Sequence, residues 1–146
     1  MLFGEYSPAI DSQYRISIPA KFRSELGEQF IIVRHMKIAC LRIYSKSSWD
    51  EYLASIKSQL NRGSYERALH FYYRHAVEGT PDSLGRVRVP KELWESIEVD
   101  FENGVKDITI IGCGEYGEIW AKGSLDNFDG DLDLDALSAE IEGCAI

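Results

Sequence analysis

Alternating apolar and polar positions mark a short stretch that occurs twice in the chain. Residues 82–90 read Asp-Ser-Leu-Gly-Arg-Val-Arg-Val-Pro, and residues 11–19 read Asp-Ser-Gln-Tyr-Arg-Ile-Ser-Ile-Pro. Asp, Ser, Arg, two aliphatic residues at alternate positions, and Pro recur at the same spacing. An internal repeat constrains the whole fold, because each copy predicts the same local structure.

Each copy begins with a tight turn and continues as a short strand. Asp can accept hydrogen bonds from the backbone two residues on, and Gly85 tolerates a positive φ. The alternation after the turn predicts one face toward a core and one face outward. The inward residues are Ile16, Ile18, Val87 and Val89, and the outward residues are Arg15, Ser17, Arg86 and Arg88.

A short helix is predicted directly after each strand. Pro19 and Pro90 suit the first helical position, where the missing N–H is not needed. The first helix carries Phe22 and Leu26 and is expected to end at Gly27. The second helix carries Leu93, Trp94 and Ile97 on one side.

Further apolar runs predict the remaining strands. An opening strand is expected within residues 1–10, and other strands within 29–34, 40–44, 107–112 and 118–120. Glycines 112, 114 and 117 lie between the last two runs. We interpret them as a hairpin connection and not a phosphate loop, because no helix with Gly-Lys-Ser/Thr follows.

The middle of the chain predicts two helices. Ser48-Trp49-Asp50-Glu51 has the pattern of a capping box, and apolar residues then recur at helical spacing up to Leu60. Residues 61–63 break this helix, and a second helix is predicted from Tyr65 to Ala76. The aromatic run 71–73 can stack bases, but aromatic residues at helical spacing are usually part of a core.

The net charge of −8 argues against nucleic-acid binding at first sight, but the acids are unevenly distributed. Residues 126–146 hold seven acids and no Lys or Arg, and without them the chain has 17 acids and 16 bases. Residues 1–46 carry seven bases against four acids. DNA affinity depends on the local cationic surface, so DNA binding remains open. The acidic tail is predicted to be either a short amphipathic helix or disordered, and dispensable for folding.

Several classes of protein are disfavoured by the composition. No apolar run approaches the length of a membrane span, and the first residues do not resemble a signal peptide, so a cytoplasmic location is expected. The three cysteines lack Cys-x-x-Cys spacing and are expected to be reduced structural thiols. The three histidines suggest no metal site, and no catalytic constellation is evident. We therefore expect no enzyme activity, cofactor, metal or small-molecule ligand.

An Arg four residues after Asp has two interpretations. It can be a surface ion pair worth a few tenths of a kcal/mol that fixes a hairpin. Alternatively, the Asp holds the Arg in a fixed pose and presents it to an anionic partner. The doubling of the motif favours the second interpretation, because two related arginines can form one surface.

The doubled motif resembles the MraZ family. The resemblance rests on the N-terminal Met-Leu-Phe-Gly-Glu-Tyr and on Asp-x-x-x-Arg followed by alternating aliphatic residues and Pro, at Asp11 with Arg15 and at Asp82 with Arg86. It covers about residues 1–125. Members of the family are bacterial transcriptional regulators with two SpoVT-AbrB-type halves.

The resemblance implies an α+β fold built from tandem swapped-hairpin halves that share a small β-barrel-like core. The halves would be 5–48 and 77–124, with a helical connection over 49–76 and an acidic tail over 125–146. The resemblance also implies a ring-like homo-oligomer. Several protomers in one ring would gain DNA affinity through effective concentration.

The implied function is sequence-specific binding of short direct repeats in double-stranded DNA, upstream of the protein's own operon in the division and cell-wall gene cluster. Such a regulator would be associated with the nucleoid. Arg15 would be the primary contact, since Arg forks onto guanine in the major groove. The full predicted DNA-binding set is Asp11, Tyr14, Arg15, Ser17, Lys21, Arg23, Asp82, Arg86 and Arg88.

One position departs from the family pattern. The first motif usually has Gly before the Arg, where this chain has Tyr14. The turn then either avoids a positive φ or holds a bulky residue in strain, and an exposed Tyr can also contact a sugar or base. A different class of function stays open as well: a structural or protein-interaction ring in which the arginines join protomers.

Overall fold

A computed structural model describes residues 1–144. The strands are β1 (Glu5–Tyr6), β2 (Arg15–Ser17), β3 (Phe30–Arg34), β4 (Cys40–Ser45), β5 (Ala76–Gly79), β6 (Arg86–Arg88), β7 (Ile108–Gly112) and β8 (Gly117–Ala121). The helices are α1 (Ala20–Leu26), α2 (Lys46–Gln59), α3 (Arg62–Arg74), α4 (Lys91–Ser96), α5 (Lys122–Gly130) and α6 (Leu134–Glu142). The last two residues of the predicted tail, 145–146, lie outside the described part of the chain.

Six strands form one antiparallel sheet in the order β1-β7-β8-β4-β3-β5. This order is nearly symmetric about the β4–β8 pair, with β8 matching β4, β7 matching β3 and β1 matching β5. At the centre, Arg42 lies opposite Glu118, with 3.7 Å between Nε and Oε2. The repeat in the sequence is thus expressed as an approximate two-fold relation between the halves.

Strands β2 and β6 form a separate two-stranded antiparallel ribbon. A single cluster of buried residues lies between the ribbon and the large sheet, and includes Ile16 and Val87 from the ribbon and Ile32 and Ile110 from the sheet. The predicted α+β class is confirmed, and the strands pair in antiparallel fashion. The strand pairings of residues 1–144 form an open sheet and a ribbon, and they do not close into one barrel.

Helices α1 and α4 occupy equivalent places after the ribbon strands, and Pro19 and Pro90 precede them as their N-caps. Phe22 and Leu26 of α1 and Trp94 of α4 are buried, as the sequence predicts. Helix α1 ends at Gly27 with φ +85°. Shortly after α4, Glu98 also takes a positive φ, +73°.

The middle helices differ from the prediction at both ends. The Ser45 side chain, and not Ser48, caps α2 by accepting a hydrogen bond from the Ser48 amide (3.1 Å). Asn61 caps α3 in the same way (Ser64 N, 2.8 Å). Residues 76–79, of which Ala76 was predicted as helix, form strand β5 because their backbone pairs with β3.

An aromatic cluster fixes the base of the α2–α3 hairpin to the outer face of the sheet. Tyr44, Trp49 and Tyr72 are buried there, and the Tyr52 and Tyr72 hydroxyls lie 2.6 Å apart. Phe71 packs at the edge of the cluster, whereas Tyr73 is 62% exposed. Two of the three aromatic residues at 71–73 therefore belong to a core.

Most of the described part of the acidic tail lies in two helices, α5 and α6. Leu125 of α5 is buried, and the Phe128 ring lies 4.9 Å from the Trp120 ring. Helix α6 has no buried residue, although the Asp133 side chain caps it by accepting from the Ala136 amide (3.0 Å). Of the two predicted states, the amphipathic helix is the one observed.

The three cysteines are free thiols, but only Cys40 has the buried setting of a structural thiol, whereas Cys113 and Cys144 are exposed. Cys40 is buried, and burial is the main cause that raises the pKa of its thiol to about 12, so it stays protonated at neutral pH. Across residues 1–144, none of the helices combines the length and the apolar character that a membrane crossing requires.

Candidate nucleic-acid interface

The first arginine turn, residues 11–15, is held together by the carboxylate of Asp11. Its Oδ1 accepts hydrogen bonds from the backbone amides of Gln13 (2.8 Å) and Arg15 (2.9 Å). Its Oδ2 accepts from Nε of Arg15 (2.7 Å). One carboxylate therefore closes the turn and fixes the pose of the guanidinium.

The second arginine turn, residues 82–86, repeats this geometry. Oδ1 of Asp82 accepts from the amides of Leu84 and Arg86, both at 2.9 Å, and Oδ2 accepts from Nε of Arg86 at 2.9 Å. In both turns the Asp amide donates to the Arg carbonyl, at 2.9 Å. The turns are structural duplicates of each other, as their sequences predict.

Both turns contain a residue in the left-handed region. Gly85 has φ +76°, and Tyr14, at the equivalent position, has φ +64°. The alternative in which the first turn avoids a positive φ is therefore wrong. The Tyr14 ring packs edge-on against Phe101, with the ring centroids 5.0 Å apart, so the side chain is half-buried and not fully exposed.

The two turns are joined by the β2–β6 ribbon. Its register places Arg15 opposite Arg88 and Ser17 opposite Arg86. The residue that follows each strand also bonds to the turn of the other half: Ile18 N donates to Gly85 O (3.0 Å), and Val89 N donates to Tyr14 O (3.1 Å). The two halves therefore build one continuous element.

The two faces of the ribbon have opposite character. Ile16 and Val87 are 1% and 2% exposed and face the core. Because side chains alternate along a strand, the other face carries four polar residues. They are Arg15, Ser17, Arg86 and Arg88. We call this face, with its two turns, the arginine ribbon.

The guanidinium groups of the arginine ribbon are held in position by hydrogen bonds that occupy only some of their N–H donors. For Arg15 and Arg86, the side-chain hydrogen bonds formed within residues 1–144 use Nε, and the Nη groups are not engaged by them. Their side chains are 23% and 32% exposed. Arg88 donates from Nη2 to Oε1 of Gln13 (3.1 Å), which links the second strand to the first turn.

The two carboxylates stay ionised at neutral pH. Burial opposes the charge on Asp11, but hydrogen bonds from the Arg15 amide, the Arg15 side chain and the Gln13 amide outweigh burial and lower the pKa of Asp11. For Asp82, the hydrogen bond from the Arg86 amide is the largest cause, and the pKa is again lowered. Each Asp is therefore an anionic partner for its Arg.

The two remaining predicted bases lie in different settings. Lys21 is exposed on α1. Arg23 is half-buried, donates from Nε to the Ile18 carbonyl (3.1 Å), and passes beneath the second turn. A Cβ built on Gly85 would lie 2.7 Å from Cζ of Arg23. The structure thus places Arg23 as a support of the second turn.

Trp94 supports the first turn and was not predicted to belong to the site. It is fully buried, and its Nε1 donates to the Tyr14 carbonyl (3.1 Å). The spacing of the repeat places Trp94 in the second half where Arg23 stands in the first. Arg23 of the first half supports the second turn, and Trp94 of the second half supports the first turn. The equivalence of the two positions in the repeat could therefore have identified Trp94.

The chain is also similar to known proteins. Residues 1–71 match a family model described as "MraZ protein, putative antitoxin-like". The chain is 37% identical over 135 residues to "Transcriptional regulator MraZ" of Alkaliphilus oremlandii (strain OhILAs), covering 92% of this chain and 90% of that one.

Two further relatives have the same name. The chain is 33% identical to the protein of Thermoanaerobacter sp. (strain X514), covering 92% of this chain and 90% of that one. It is 35% identical to the protein of Dictyoglomus turgidum (strain DSM 6724 / Z-1310), covering 88% and 85%. These names describe regulators and not enzymes. With such identity across most of both chains, the chain belongs to the MraZ family.

Proposed function

We propose that this chain regulates transcription by binding double-stranded DNA through the arginine ribbon. The observation that carries the proposal is the presence of three arginines on one face of a two-stranded ribbon, two of them fixed through Nε by an Asp. The major groove admits a two-stranded ribbon. The names of the relatives agree with this role.

Each residue has a part in the proposed contact. Arg15 and Arg86 offer their Nη groups to O6 and N7 of guanine, while Asp11 and Asp82 hold them in position. Arg88, Ser17 and Lys21 contact phosphates, which positions the protein without reading sequence. Arg23 and Tyr14 act mainly by shaping the turns, given their half-buried settings.

The proposed targets are short direct repeats upstream of the protein's own operon in the division and cell-wall gene cluster, so the protein would act at the nucleoid. One protomer presents three ribbon arginines against two carboxylates, which limits its own affinity. We therefore propose a ring-like homo-oligomer, in which several protomers engage successive repeats and gain affinity through effective concentration.

The proposed architecture follows the duplicated pattern. Halves 5–48 and 77–124 would act as SpoVT-AbrB-type units, joined by 49–76 and followed by the tail 125–146. The buried cluster that contains side chains from both the ribbon and the sheet supports a shared, barrel-like core. Such a core would hold the two arginine turns at a fixed separation.

The test is a fluorescence anisotropy titration with a duplex from the upstream region and an unrelated duplex, at two salt concentrations. The wild type should prefer the upstream duplex and lose affinity as salt rises. Arg15→Ala should cost about 1–3 kcal/mol per engaged site. Arg15→Lys should be nearly as damaging, because a point charge cannot replace a bidentate fork.

Arg74→Ala is the matched control, because Arg74 is an exposed base in the last turn of α3, away from the ribbon. It should bind as the wild type does. If Arg15→Ala is folded and binds like the wild type, the reading role of Arg15 is wrong. If it loses oligomer mass instead, Arg15 joins protomers and the scaffold function gains.

A further inference from the structure

The distal half of the α2–α3 hairpin carries an apolar groove that the sheet does not cover. In α2 the buried residues are Trp49 and Leu53, near the start of the helix, and in α3 the buried residue is Tyr72, near its end. Beyond these, a groove of about 370 Å³ opens between the helices. Its apolar lining includes Ile56, Leu60 and Phe71, with Met36 from the β3–β4 turn.

Two of the residues that line this groove are large apolar side chains with substantial exposure to solvent. Met36 is 48% exposed and Leu60 is 42% exposed. Leu60 also lines an adjoining depression with Lys57, Tyr65 and Leu69. Contiguous exposed apolar surface of this kind is typical of a docking site.

Helix α6 presents a matching apolar stripe. Leu134, Leu137 and Ile141 follow the i, i+3, i+7 spacing of a helix that docks in a groove, and they are 69%, 41% and 64% exposed. A capped helix of nine residues with no buried side chain is marginal in isolation. Its stripe therefore needs a surface to cover it.

The charges of the two elements are complementary. The distal hairpin, residues 54–69, carries Lys57, Arg62 and Arg67 against the single acid Glu66. Helix α6 with its cap carries Asp133, Asp135, Glu140 and Glu142 and no base. Arg67 lines the groove itself, so an acidic helix is favoured there over a neutral or basic one.

The lengths also agree. At about 1.5 Å per residue, α6 is about 14 Å long, and α2 and α3 are each about 20 Å long.

Within its own chain α6 is tethered to α5 by residues 131–133, and α5 is fixed through Leu125 and Phe128. Three residues span at most about 10 Å, which restricts where α6 can reach in its own protomer.

We propose that α6 of one copy docks in the α2–α3 groove of a second copy, with its apolar stripe on Leu60 and Ile56 and its acids toward Arg67. This inference rests on the proposed assembly of several copies and names the segment that joins them. It does not involve the arginine ribbon, so DNA contacts and subunit contacts use different faces.

The test is light scattering of the full chain with Ile141→Asp on the helix or Leu60→Asp in the groove. Both side chains are exposed, so neither change disturbs the fold of the protomer. Each variant should raise the concentration of half-assembly about tenfold or more. Tyr73→Asp, also exposed on α3 but outside the groove, is the matched control and should assemble as the wild type does.

Mixing the two variants identifies the occupant of the groove. A chain with Leu60→Asp keeps its helix and a chain with Ile141→Asp keeps its groove, so the mixture should form a two-copy species that neither variant forms alone. If both variants assemble less well and their mixture forms no two-copy species, docking of α6 between copies is wrong and docking within one chain is favoured. Wild-type mass in both variants, or a monomeric wild type, also overturns it.

DNA binding is measured separately by anisotropy on the same samples. Loss of complementation with intact salt-dependent DNA binding would reject the exchange alone. Intact complementation with no DNA binding would reject the proposed function alone.

Discussion

The first and second arginine turns share one set of hydrogen bonds but rest on different supports. Gly85 accepts φ +76° without a side chain, and Arg23 fills the space beneath it. Tyr14 has φ +64° although its side chain is bulky. Its ring packs against Phe101, and its backbone carbonyl accepts a hydrogen bond from Trp94. The Asp–Arg geometry is therefore independent of how the backbone beneath it is stabilised.

The largest effect expected from this difference is on folding. Trp94→Ala removes a fully buried side chain and should lower the free energy of unfolding by about 3–5 kcal/mol. Arg23→Ala, at the equivalent place in the other half, removes one hydrogen bond and should cost about 0.5–1.5 kcal/mol. Urea unfolding followed by circular dichroism measures both. Equal costs would mean that the two supports do equivalent work.

A smaller effect is expected on DNA affinity, where the turns should be alike. Arg15→Ala and Arg86→Ala should each cost about 1–3 kcal/mol per engaged site, because both guanidinium groups are fixed in the same way. The measurement is an anisotropy titration of both variants at one salt concentration. A loss confined to Arg15→Ala would show that the first half alone reads DNA.

The backbone at Tyr14 and Gly85 gives the next contrast, of about 1 kcal/mol. Tyr14→Ala loses the contact with Phe101 and keeps a Cβ at positive φ, whereas Tyr14→Gly loses the contact but relieves the strain. Tyr14→Gly should therefore be the more stable of the two variants in urea. At the other turn, Gly85→Ala should destabilise, because it adds strain and crowds Arg23. If Tyr14→Ala is the more stable variant, the turn is not strained.

Local features of the site were predictable from the sequence, but contacts between the halves were not. Alternation correctly placed Ile16 and Val87 inward, because a short strand has only two faces. The pairing of β2 with β6 joins residues far apart in the chain, and spacing alone does not specify it. The Trp94–Tyr14 contact was missed for the same reason, although Trp94 occupies the position in the second half that Arg23 occupies in the first.

The errors at element ends also have physical causes. The run Ser45, Ser47 and Ser48 offers several caps, and the chain uses Ser45, the last residue of β4, so that strand passes directly into helix. Residues 76–79 form an edge strand whose only partner within residues 1–144 is β3, so the local pattern is weak and Ala76 reads as the end of a helix.

The smallest expected effect concerns the carboxyl groups that hold the arginines. Asp11 and Asp82 have pKa values below the ordinary 3.8. A lowered carboxyl pKa stabilises the folded state above the unfolded pKa, and this contribution is lost as pH falls through the folded pKa. Both turns should therefore stay clamped at every pH above about 4 and open only in stronger acid.

Carboxyl carbon chemical shifts, followed by NMR during acid titration, should give a midpoint below 3.8 for both residues. Arg15→Ala should raise the pKa of Asp11 and leave that of Asp82 unchanged, and Arg86→Ala should do the reverse. The rise should be similar at the two turns, because each carboxylate loses one side-chain hydrogen bond and one cationic neighbour but keeps its two backbone-amide hydrogen bonds. Asp100, whose pKa is lowered chiefly by the Asn103 side chain, is the internal reference and should not move in either variant. A clearly larger rise at one turn would show that its Arg side chain holds the carboxylate more strongly, and that the difference between the halves extends beyond the backbone.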